Sequence, residues 1–101
     1  MNFSGTDADA IVRALRGDFA EAPMSNNARA IVTAIRGLPE VSEGISTETL
    51  EVSRAFRGQV VPSLGLSTNA VAIIRALGGM NTLGWPISNT TRTIITQILH
   101  L

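Results

Sequence analysis

The sequence predicts an all-α chain: five short helices in tandem 21-residue repeats, forming a compact α-solenoid with one helix and a packed connection per repeat, or a five-helix bundle. Three observations carry that prediction. A serine in the same local setting opens every unit, at Ser4, Ser25, Ser46, Ser67 and Ser88, 21 residues apart. Apolar residues then recur at i, i+3, i+4 and i+7, the stripe of an amphipathic helix. Glycine closes the pattern twelve residues after Ser25, Ser46 and Ser67, at Gly37, Gly58 and Gly79.

The units are taken as residues 4–24, 25–45, 46–66, 67–87 and 88–101 of a single domain. In the first, Ser4 is the N-cap, its hydroxyl free to accept from a first-turn N–H. Phe3 precedes it as a hydrophobic staple. Ala8, Ile11, Val12 and Leu15 make the stripe. One extra residue delays the closing glycine to Gly17. The second unit repeats the plan with Met24 before Ser25, the stripe Ala28, Ile31, Val32 and Ile35, and Gly37. The third has Ile45 before Ser46, the stripe Thr49, Val52, Ser53 and Phe56, and Gly58. The fourth has Leu66 before Ser67, the stripe Ala70, Ile73, Ile74 and Leu77, and Gly79.

Pro23, Gly44, Gly65 and Pro86 stand two residues ahead of their serines and mark the chain's turn into each helix. Arg16, Arg36 and Arg57 lie one residue before a closing glycine, where a cation offsets the negative end of the helix dipole. Ala14, Ala34, Ala55 and Ala76 flank the stripe and admit a close neighbour. Arg13, Arg54 and Arg75, with Thr33 and Thr96, point away from it and read as a solvated face.

The fifth unit departs from the others. Ile87 precedes Ser88, and Thr91, Ile94, Ile95 and Ile98 continue the stripe, but Gln97 replaces the flanking alanine and His100 the glycine. Thr90, Thr91, Thr93 and Thr96 lower its helix propensity, so a strand over 93–101 competes with the helix. The unit reads as an apolar end without the polar cap that repeat arrays carry.

The connections are apolar, notably residues 59–66 and 80–87, and are expected to pack as a second layer of extended or 3₁₀ pieces. A helix of about 12 residues rises about 18 Å, and an eight-residue segment reaches about 26–29 Å. Each connection can therefore return the chain to start the next helix parallel to the last. The repeated stripe favours this over alternating directions.

Charge separates the two halves. All eight carboxylates precede residue 52, whereas residues 52–101 hold Arg54, Arg57, Arg75, Arg92 and His100 and no acid. Zero net charge gives no general attraction to nucleic acid or anionic membrane. Opposite halves are expected to attract one another between molecules. The absence of cysteine excludes disulfides and thiol chemistry. Residues 1–24 lack the features of a signal peptide, and no apolar run reaches the roughly 20 residues that span a bilayer. The expectation is a soluble protein with a cytoplasmic location by default and no membrane partner.

No residue set points to catalysis, a cofactor or a metal. The single histidine, His100, reads as a helix C-terminal residue. The pairs Asp7 and Asp9, Glu40 and Glu43, and Glu48 and Glu51 read as surface charges near helix starts. No glycine pattern matches a phosphate loop.

The expected function is therefore a non-enzymatic structural or protein–protein interaction module that self-associates, with a homo-oligomer or another protein as partner. The motive is a composition of 45% apolar and 16% charged residues. Its candidate interface is Trp85, Ile94, Ile95, Ile98, Leu99 and Leu101. The alternative is a regulatory binder of nucleic acid or peptide. Residues 64–71, Leu-Gly-Leu-Ser-Thr-Asn-Ala-Val, resemble the turn and recognition-helix start of helix-turn-helix proteins, as do residues 87–92. Leu38-Pro39-Glu40-Val41 is similarly akin to a helix-hairpin-helix loop. That resemblance implies phosphate contacts from Arg54, Arg57, Arg75 and Arg92. The repeated serine caps account for the same pattern without nucleic acid.

Overall fold

The computed structural model describes residues 3–19, 22–62 and 64–100, and among these the chain forms five α-helices and no strand. They are α1 (Gly5–Leu15), α2 (Asn26–Ile35), α3 (Thr47–Phe56), α4 (Thr68–Leu77) and α5 (Asn89–Leu99). The threonine-rich fifth segment is helical, so the competing strand is not formed. Connections turn at residues 43–44, 64–65 and 83–86, without 3₁₀ helix among the described residues.

Each helix begins where its serine requires. Ser4, Ser25, Ser46, Ser67 and Ser88 all adopt extended backbone, and each hydroxyl accepts the N–H three residues on. Asp7 returns a bond to the Ser4 N–H, completing a capping box. The first four helices end in a common motif. In α1 the N–H of Asp18 reaches Arg13 O at 2.9 Å and that of Gly17 reaches Ala14 O at 3.0 Å. Leu38, Gln59 and Met80 repeat the longer bond after α2, α3 and α4. This double closure requires a left-handed residue, and Gly17, Gly37, Gly58 and Gly79 supply it with φ between 75° and 98°. His100 takes the same position in α5 with φ 56°.

Bonds between successive helices fix their direction. Asp7, in the first turn of α1, accepts from the cap of α2 at Ser25. Asn27 of α2 accepts from Ser46, Glu48 of α3 from Ser67, and Asn69 of α4 from Ser88. Helix starts therefore lie side by side, and the helices run parallel. Parallel helices bring like dipole ends together. The carboxylates of Asp7 and Glu48 stand at the positive end, and Arg13, Arg54 and Arg75 lie in last turns at the negative one.

Each helix packs on its neighbours in sequence, and α5 packs on α1. The five thus close into a ring around one core. Ile11, Ile31, Val52, Ile73 and Ile94 occupy equivalent positions, one per helix, and each is fully buried. Removing such a side chain from water is worth about 1.5–3 kcal/mol. Toward the helix starts Ala8, Ala28, Thr49, Ala70 and Thr91 narrow the core, all buried. Toward the helix ends Leu15, Ile35, Phe56, Leu77 and Ile98 widen it and remain partly exposed.

Closure explains the odd fifth unit. Ala10, Ala30 and Ala72 occupy one column and are buried, and the Thr82 hydroxyl bonds Ala72 O as the connection crosses α4. In α5 that column is Thr93, exposed, and the neighbouring alanine column is Gln97. Gln97 accepts a 2.8 Å bond from Nε of Arg16, the C-cap of α1. Polar residues stand where α1 and α5 meet without an intervening connection. The apolar stripe that read as an uncapped end faces the shared core instead.

Candidate interaction surface

The outside of the ring is set by where the connections run. Phe3, Met24, Leu66, Leu83, Trp85 and Ile87 pack on the core, and Thr82 is wholly buried. This is the second layer expected of apolar connections. Other connection residues escape it. Val60 is 101% exposed, Leu64 95%, Met80 47%, Phe19 43%, Leu38 42% and Val41 36%.

The sequence-predicted interface does not gather on this surface. Ile94 and Ile95 are fully buried because α5 turns its stripe inward against the ring. Trp85, Ile98 and Leu99 are partly buried and pack on the core. Leu101 lies outside the described residues. Composition marked these residues as apolar, and ring closure decided which of them water reaches.

The four arginines of the nucleic-acid alternative lie on three helices or their caps, and three hold partners within the chain. Arg54 bonds Glu40 at 3.3 Å and Glu51 at 3.1 Å. The Glu40 hydrogen bond leads the effects that raise its pKa above the usual value. Arg57 Nη1 donates to Leu38 O at 2.6 Å, and Arg92 Nη1 donates to Leu83 O. Arg75 is exposed, and its side chain makes no hydrogen bond or ion pair among the described residues.

The titration of Glu48 is clearly moved. Burial pushes it up, and the bonds from the Ser67 N–H and hydroxyl lead the opposing effects that hold it below its ordinary 4.5. Its role is to cap a cap, so the shift belongs to the fold rather than to chemistry.

The surface missed by sequence reasoning is centred on α3. Four of the six exposed large apolar residues named above lie in the two connections that flank this helix: Leu38 and Val41 before it, Val60 and Leu64 after it. Beside α3 and α4 runs an open groove of about 450 Å³, lined by Ala55, Val60, Val61, Ile74, Arg75 and Leu77 among others. The available signal was Glu51, which stands in α3 where Ala10, Ala30 and Ala72 lie buried in theirs. No grouping of His, Asp and Glu suited to a metal ion occurs among the described residues. No described helix is long and apolar enough to cross a membrane. The chain matches no family model, no curated protein and no solved structure.

Proposed function

We propose that the chain is a non-enzymatic structural or protein-interaction module that self-associates through the outside of its helical ring. The observation that carries this reading is the exposure of Val60 and Leu64, at 101% and 95%, in the connection after α3, with Val60 also lining an open groove. Large apolar side chains held in water cost free energy that an interface recovers, at about 25 cal/mol per Å² covered. Exposed large apolar residues gathered in a few connections mark interaction sites on folded domains. The core is already filled by one residue column from each helix, which leaves the ring's outer surface as its means of contact.

Sedimentation equilibrium on the full chain, from dilute to concentrated solution, tests the proposal. Apparent mass rising with concentration toward an integral multiple of 10.7 kDa supports it. A mass fixed at 10.7 kDa throughout overturns it.

A further inference from the structure

We infer that the self-association surface is the face of α3 and that its occupant is a second copy of this chain, related by a two-fold axis. This rests on the self-association proposed above and names its contact. Both halves of a complementary pair flank this helix, since Leu38 and Glu40 bond Arg57 and Arg54 at its end and Ala55 lines the groove. On one side the connection into α3 carries exposed Leu38 and Val41 with Glu40 and Glu43. On the other lies the groove of Ala55, Ile74 and Leu77, edged by Val60 and Arg75.

The charges are opposite and available. Glu43 and Arg75 are exposed, and the side chain of neither makes a hydrogen bond or ion pair among the described residues. No carboxylate lines the groove, so Arg75 is open to an acid brought by a second copy. A second copy brings Glu43 and the apolar pair Leu38 and Val41 together.

Adjacency decides the symmetry. A surface on which one patch meets a different patch of its copy closes into a dimer when both patches share a face, because each contact is then made twice. The acidic connection and the basic groove flank the same helix, so one two-fold axis satisfies both. A stable interface covers about 800 Å² per partner, about a seventh of the 5357 Å² the chain exposes.

The test measures dimer dissociation by sedimentation equilibrium for the full chain and for Glu43→Arg, Arg75→Glu, the double reversal and Val60→Asp, with circular dichroism as the folding check. All three positions are exposed, so the variants keep the fold. The expected result is a dimer that each single reversal weakens by about tenfold or more. The double reversal restores affinity to near the original, and Val60→Asp abolishes the dimer. A dimer insensitive to these changes, or an assembly larger than two, overturns this contact while leaving self-association standing. A chain that is monomeric at every concentration overturns both.

Discussion

The carboxylate of Glu48 binds the backbone N–H of Ser67 at 2.6 Å and its hydroxyl at 2.7 Å, so the first turn of α3 holds the residue that caps α4. Asp7 makes the same double contact with Ser25, at 2.8 and 2.9 Å. Asn27 and Asn69 make its single, amide version with Ser46 and Ser88. Four junctions thus share one device, and it sets the parallel register on which the ring depends.

Removing that device at one junction has a definite cost. Glu48→Ala leaves the Ser67 N–H and hydroxyl without their charged acceptor, and such bonds are worth about 1.5–3 kcal/mol. Urea denaturation is expected to show a loss of that size. Glu48→Gln retains an acceptor and is expected to lose less.

The same carboxylate makes stability depend on pH. Its folded-state pKa lies below the ordinary 4.5, so the folded chain binds its proton less readily than the unfolded chain. The contribution is fully present above 4.5 and is lost as pH falls through the lower, folded-state value. Denaturation midpoints measured for the wild type and Glu48→Gln are expected to differ at neutral pH and to converge in acid.

The buried column gives the largest effects. Ile73 is fully buried with Ile11, Ile31, Val52 and Ile94 around it, and Ile73→Ala is expected to cost about 2–5 kcal/mol through lost burial and the cavity left behind. Val60→Ala, at a fully exposed position, is expected to stay within about 0.5 kcal/mol in dilute solution. Chemical denaturation of both variants checks the contrast.

His100 holds φ 56° where the other four helices place glycine. A side chain in that region costs about 1–2 kcal/mol. His100→Gly is therefore expected to raise stability by up to about 1 kcal/mol, read as a higher urea midpoint.

Much of this architecture is written locally and was legible for that reason. Ser25 and Gly37 state where a helix starts and stops through their own side chain and backbone, and the column of Ile31 states which face turns inward. Two things were not local. That α5 returns to α1 depends on the turn made between successive helices, which no single unit carries. Ile94 and Ile95 consequently read as a free apolar end when they are core. The burial of Ala72 likewise depends on a connection crossing the helix, and only the change to Glu51 and Thr93 in that column hints at it. The α3 surface follows from the same cause: Val60 and Leu64 are as apolar as Leu66, and only the path of the chain separates them from it.

Closure of the ring by α5 on α1 underlies all of this, since it turns the last stripe inward and leaves the outer connections as the exposed apolar surface. The direct test places cysteines at Arg16 and Gln97, which share a 2.8 Å bond, in a chain that has no other cysteine. Helices in contact have axes about 8–10 Å apart, within reach of a short bis-maleimide. A closed ring predicts rapid cross-linking within one chain in dilute solution, with the helical spectrum unchanged. Cross-linking that fails, or that joins only separate chains, would contradict it.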